Sequence, residues 1–254
     1  GISTTLINLT DDDWAAQLND CLSRRKPDFC FSFQGFGMDL KNDAGNIWQN
    51  LKIPFVSVMG DAPFYAPPLH RGVADGFFHL YASRSFQQIY CDTLKGKNIT
   101  GVKSFGYPSN PHANQIPWND REFEIVYVKS GVDSSALRAE WAGFPRLMRE
   151  VLEDASATAL AAQTKPIAEI VADCYTAHGV HFGDRIALYL RSCSHVDSYV
   201  RAFRAERLLR EVMRHGGHVF GDWPHISKAD TRARFHGRVN VAELNQLYAR
   251  SRIL

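Results

Sequence analysis

No run of about eighteen apolar residues occurs anywhere in the chain, so the sequence offers no candidate membrane-spanning helix. Gly1-Ile2-Ser3-Thr4 leads straight into a polar segment and lacks the charged and apolar regions of a secretory signal. Charge of one sign is also missing. The 254 residues carry 29 Lys and Arg against 27 Asp and Glu, a net charge of +2. That balance gives no electrostatic footprint of a nucleic-acid binder. Cysteine is sparse. Cys21, Cys30, Cys91, Cys174 and Cys193 are odd in number and far apart, and no pair has zinc-site or redox spacing. They are expected to be reduced, mostly buried thiols of a cytoplasmic protein, with Cys30 explained by packing inside Phe29-Cys30-Phe31. No Asp-x-Asp pair stands at a strand end, so no metal site is expected. Asp11-Asp12-Asp13 opens a helix, where acids suit the dipole. Internal repeats and low-complexity segments are absent.

What is present is enough for a packed core: 45% hydrophobic and 12% aromatic residues, which excludes a disordered chain. Trp14, Leu18 and Leu22 recur every four positions, predicting a short amphipathic helix, with Thr10 and Asp13 as its capping box. Four apolar runs follow, punctuated by Gly, Pro and Asp: 29–33, 53–59, 77–82 and 102–107, the first read as a buried strand. Residues 84–94 are predicted helical. Short strands alternating with helices indicate parallel βαβ units, an α/β fold with two sheet-based domains. The Pro- and Asn-rich stretch 107–122 is the candidate boundary, dividing the chain into 1–118 and 119–254. A fresh strand at 123–128 opens the second domain, and its next clear strand lies near 218–220. The long interval predicts a helical insertion at about 137–190, with Pro145 and Pro166 at helix starts or breaks. That insertion either packs on the second domain or offers a docking surface. A further helix is expected at 197–214.

Several positions at strand ends are candidates for chemistry, because ligands of open parallel sheets gather beyond the carboxyl ends of strands. Gly35 and Gly37 follow the first strand, in Gln34-Gly35-Phe36-Gly37. They make either a turn or a close ligand approach, and Leu40 breaks the dinucleotide fingerprint. Asp61 follows the second strand. It either caps a turn before Pro63 or presents a carboxylate to a cleft. Asp61 and His70 are the candidate catalytic residues, with His79 nearby in sequence. Lys129-Ser130-Gly131 follows the strand at 123–128, either as a solvated turn or as a diphosphate holder through its ammonium and backbone N–H groups. Arg201, Arg204 and Arg207 recur at helical spacing.

Gly216 to Trp223, then Phe235-His236-Gly237-Arg238-Val239, then Glu243 to Ile253 resemble the C-terminal nucleotide-binding half of glycosyltransferases with two Rossmann-like domains, the GT-B architecture. The strand, Asp61 and Pro63 resemble the first domain of the bacterial group that includes the spore maturation protein CgeB. The likeness covers 28–131 loosely and 199–254 more specifically. It implies a metal-independent transfer of a sugar from a nucleotide-sugar donor to an acceptor hydroxyl of a glycan, lipid or protein, with no further cofactor. It implies that Lys129, Ser130 and Gly131 face the donor phosphates, that Arg204 points to the cleft, and that Gly221 and Asp222 approach the sugar nucleotide. Asp222 replaces a family glycine there. It implies that Gly237 and Val239 meet the base while Tyr248 packs the following helix. Asp61, Gly35 and Gly37 would line one side of a cleft, and Lys129, Gly221 and Gly237 the other. The family's acidic donor-binding segment comes after the position of Leu254, so the chain is expected to be a truncated piece and a poor enzyme as it stands. Two other readings remain open: a non-catalytic or regulatory scaffold of the same fold, and a sugar-phosphate epimerase, for which acids and histidines placed for ring chemistry are not found.

Overall fold

The computed structural model describes residues 3–70, 75–94, 99–104, 116–162, 164–181, 183–229 and 231–253. The chain is mixed α/β and divides into two compact units, Gly1–Pro108 and Ser109–Leu254. The end of the strand expected at 102–107, much of the loop expected at 107–122, and Leu254 lie outside the described residues.

The first unit is built on four parallel strands. Helix α1 (Trp14–Arg24) precedes β1 (Cys30–Phe33). A hairpin of β2 (Lys41–Asn42) and β3 (Gly45–Asn46) leads into the single turn α2 (Ile47–Asn50). Then come β4 (Phe55–Met59), α3 (Pro67–His70), β5 (Phe77–Tyr81), α4 (Arg84–Ile89) with a π-helical turn Tyr90–Leu94, and β6 (Ile99–Ser104). The strands lie in the order β1-β4-β5-β6, every pair parallel. Cys30, Phe55 and Phe77 share a register row, and the last two are buried beside Leu18, Met38, Trp48 and Ile53. Helices α1 and α2 therefore cover one face of the sheet.

Two expectations fail here. The capping box does not form, since Asn8 captures Thr10 by accepting from its N–H and hydroxyl at 3.2 and 2.9 Å. Asp13 makes no cap bond, and its carboxylate accepts from Gln17 instead. The first strand is not buried either. It is an edge strand, and Phe31 and Phe33 are 49% and 63% exposed. An apolar run specifies a strand, but not its place in the sheet.

The second unit has a 3-10 turn at Trp118–Asp120, then β7 (Phe123–Val128) and a helical layer: α5 (Ser134–Ala139), α6 (Arg146–Ala161), α7 (Ile167–Ala177) and α8 (Ile186–His215). It closes with β8 (His218–Phe220), β9 (Arg234–Phe235), α9 (Val241–Ala249) and β10 (Ser251–Ile253). The sheet order is β10-β7-β8-β9, again all parallel. Pro145 and Pro166 are the N-caps of α6 and α7.

Helix α8 has 30 residues and no internal Gly or Pro, so it runs about 45 Å without a break. It carries two cores. Leu190, Cys193 and Val196 are buried in its first half, alongside Val151 and Leu152 of α6 and Ile170 and Val171 of α7. In its second half Ala205, Leu209 and Val212 pack with Val219 and Trp223 beside the sheet. The boundary expected near residue 190 thus falls inside one continuous helix. The helical layer has its own apolar core. All five thiols are free. Cys193 alone is buried and the others are half-buried, which corrects the expectation of mostly buried cysteines. Burial pushes the thiol of Cys30 up to about 11 and that of Cys193 up to about 12. Among the described residues no helix is long and apolar enough to cross a membrane.

Candidate functional site

In the first unit the chain leaves β1 through a strained turn. Gln34 adopts φ 55°, an uncommon conformation for a residue with a Cβ, and Gly35 and Gly37 follow at 73° and 79°. The Gln34 side-chain amide donates to Asp61 Oδ2 at 2.8 Å, which joins the ends of β1 and β4. Asp61 is exposed and Gln34 half-buried. A Cβ on Gly35 would lie 3.5 Å from the Leu69 carbonyl oxygen and 3.7 Å from Ser57 Oγ. The Gly37 carbonyl accepts from the Trp48 indole at 2.7 Å. Gly35 and Gly37 thus serve the turn itself, and Asp61 stands on the surface at the carboxyl edge.

His70 is elsewhere in character. It is 1% exposed, stacked on Tyr81 with ring planes 10° apart, and its Nδ1 lies 2.9 Å from the Tyr81 hydroxyl. His79 Nδ1 lies 3.4 Å from the same hydroxyl. Burial, and then neighbouring His79, hold His70 down at about 3; burial alone holds His79 at about 4. Burial raises the Tyr81 phenol, with Tyr90 and Cys91 adding to it. The cluster is a neutral, aromatic-walled core element. His70, expected as a catalytic group, is thus closed off from solvent, whereas a base has to reach its substrate's proton.

In the second unit the structure brings together most of the residues singled out in the sequence. Lys129 N–H continues the ladder to the Phe220 carbonyl at 2.9 Å, and Gly131 N–H donates to the Asp222 carbonyl at 2.8 Å. Asp222 N–H donates to Ser130 Oγ at 3.1 Å, and Gly221 N–H donates to the Gly237 carbonyl at 2.8 Å. The Asp222 carboxylate pairs with Arg238. The loops after β7, β8 and β9 are laced to one another. Consequently the N–H groups of Gly131 and Gly221 are not free for a diphosphate, and the Gly237 carbonyl serves the loop rather than a base. Val239 is half-buried against Val126, Phe220 and Leu247.

Arg204 does not join them. Its Nη2 donates to the carbonyls of Ala159 and Ala162 at 2.6 and 3.1 Å, so it caps the C-terminus of α6. Cations are favoured at that end of a helix. Arg204→Met should therefore lower stability by about 1–2 kcal/mol in chemical denaturation and leave nucleotide affinity unchanged. A loss of nucleotide affinity without a loss of stability would restore the role expected from the sequence.

Sequence reasoning missed the groups that finish α5. Asp133 accepts from the N–H groups of Ser135 and Ala136 at 2.9 and 3.2 Å. The Ser135 hydroxyl, then the Ala136 N–H, hold that carboxyl below its usual range. Glu206, 5% exposed on α8, accepts from Ser134 N–H at 2.7 Å and lies 3.4 Å from His225 Nε2 and 3.5 Å from Arg210 Nη2. Asp133 directly before a helical run is a cap signal that the sequence offered. Glu206 gave none, since its partner is 72 residues away. Among the described residues no three His, Cys, Asp or Glu side chains converge as a metal site.

No protein-family model, curated protein or solved structure matches this chain.

Proposed function

We propose that the chain is a glycosyltransferase with two Rossmann-like domains, in which the second unit binds the nucleotide of a sugar donor. The observation that carries this reading is the strand order of the second sheet. Numbered along the chain, its four parallel strands lie in the order third, second, first, fourth, as β9-β8-β7-β10. That matches the first four places of the doubly wound order 3-2-1-4-5-6, which reverses beside its first strand. Ligands of such sheets bind outside the carboxyl ends at the reversal, here between β7 and β10. Lys129, Ser130 and Gly131 leave β7 at that point.

In this reading the Lys129 ammonium meets the diphosphate, supplying positive charge to the leaving group. The Ser130 hydroxyl accepts from Asp222 N–H, so its own proton remains to donate to a phosphate oxygen. Asp61 is the candidate base toward an acceptor hydroxyl. Its Oδ2 is fixed by Gln34. The location that goes with this chemistry is the cytoplasm, where unpaired thiols stay reduced.

One observation favours the second reading, a non-catalytic relative of the same fold. The first N–H groups of α5, which a phosphate would seek, already face the carboxylates of Asp133 and Glu206. Those negative charges repel an anion at the helix end, leaving Lys129 and Ser130 to bind it.

A thermal-shift panel of UDP-, GDP-, dTDP- and CMP-sugars separates the two, because a ligand that binds only the folded state raises the midpoint by mass action. One nucleotide class is expected to raise it. Lys129→Ala should then weaken that ligand by about 2 kcal/mol, roughly 30-fold. No shift with any class, at concentrations well above a millimolar dissociation constant, would leave only the scaffold.

A further inference from the structure

We propose that the free edge of β1 is a self-association surface, on which a second copy of this chain pairs antiparallel about a two-fold axis at Phe31. Among the described residues β1 pairs only with β4. Cys30 and Gln34 N–H groups donate to the carbonyls of Pro54 and Val58. The peptide groups of the alternate residues, Phe31 and Phe33, therefore point to the other edge. Phe33 C=O already accepts from Phe36 N–H at 3.2 Å, which ends the free edge there. Among the described residues, what remains is the Phe31 N–H and C=O and the Phe33 N–H.

Unpaired strand groups are a template for another strand, and proteins normally guard them with charge, proline or a bulge. Phe29 to Gly37 contains no charged residue and no proline. The side chains make the edge complementary to itself. Phe29, Phe31 and Phe33 alternate along the strand and are 53%, 49% and 63% exposed. A two-fold axis at Phe31 sets Phe31 opposite Phe31, and Phe29 opposite Phe33 on both sides. All three cross-strand pairs are then aromatic on one face, the pairing that stabilises antiparallel strands. Phe31 and Phe33 already meet edge-on at 5.5 Å within one copy.

With about 200 Å² to each phenylalanine, the exposed area comes to about 330 Å² per copy and about 660 Å² for two. Adding the strand backbone leaves the pairing at the small end of specific interfaces, under about 1,200 Å². The dimer is therefore weak and concentration-dependent.

Sedimentation velocity of the unmodified protein over a dilution series should show monomer giving way to dimer, and Phe31→Lys with Phe33→Lys should stay monomeric. Phe31→Cys places two sulfurs across a hydrogen-bonded pair whose Cα atoms lie about 5.5 Å apart, within disulfide reach. Mild oxidation should crosslink it into a dimer, while Phe36→Cys, more exposed but off the axis, should not crosslink. Each substituted residue is on the surface, so folding is retained. A protein that stays monomeric throughout the series overturns the proposal. So does a dimer in which Phe31→Cys crosslinks no faster than Phe36→Cys.

Discussion

Gly221→Ala is expected to destabilise the second unit by about 3 kcal/mol or more, the upper end for overpacking a closed site. Gly221 holds φ 127°, where a side chain is strained whatever the space. A Cβ there would also lie 2.3 Å from the Lys129 carbonyl oxygen, a backbone atom that cannot turn aside. Gly131→Ala meets the neighbouring obstacle, with its Cβ 2.0 Å from the Trp223 ring, which is 1% exposed and has nowhere to go. Gly237 is the internal control. Nothing lies within 4 Å of its Cβ position, and its φ is not positive. Gly237→Ala should therefore change stability by less than about 0.5 kcal/mol. Urea unfolding of the three variants checks the ordering. A Gly221→Ala protein as stable as the parent would mean that the β7 and β8 loops do not meet as described. The same comparison separates two uses of glycine. At 131 and 221 the missing side chain lets one loop approach another, whereas at 237 the open space is compatible with approach of a ligand.

Acid is expected to weaken the first unit steeply between about pH 6.5 and pH 4. In the unfolded chain His70 and His79 take up protons near pH 6.5. In the folded chain burial delays this to about 3 and about 4. Within that window the unfolded state binds two more protons than the native state, so stability rises with pH and is lost as pH falls. Two such groups give a slope of about 2.7 kcal/mol per pH unit. Below pH 4 the slope declines as His79 begins to titrate in the fold. Tyr81, whose hydroxyl faces both imidazoles, stays neutral throughout this range. Native-state hydrogen exchange at Phe55–Met59 and Phe77–Tyr81 reports this unit directly. His79→Leu is the discriminating variant, because His79 Nε2 has no hydrogen-bond partner among the described residues. It should halve the slope to about 1.4 kcal/mol per pH unit. An unchanged slope would place the acid sensitivity outside the histidine cluster.

The local periods of the sequence determined much of this protein. Apolar runs between Gly, Pro and Asp specify β4, β5 and β7, because a short continuous run cut off by turn residues has few other stable forms. The four-residue recurrence of Trp14, Leu18 and Leu22 specifies α1. Pro145 and Pro166 specify helix starts. Glycines and polar residues after strands marked the loops at Lys129–Gly131 and Gly221–Asp222, since such ends need tight backbone turns.

What the tertiary structure decided is which of those pieces meet. An apolar run reads alike for a central and an edge strand, so only the order β1-β4-β5-β6 exposes Phe31 and Phe33. Arg204 read as one of three arginines at helical spacing. Its partners at Ala159 and Ala162 lie 45 and 42 residues away, and only the packing of α6 on α8 brings them near. Glu206 reaches the start of α5 for the same reason. His70 read as a group near Asp61 in sequence, yet the turn of α3 rotates it into the core beside Tyr81. Turn chemistry and hydrophobic period act over a few residues and are written locally. Sheet order, helix packing and the burial of a charge or an imidazole depend on contacts between distant segments, and they become definite only when the core closes.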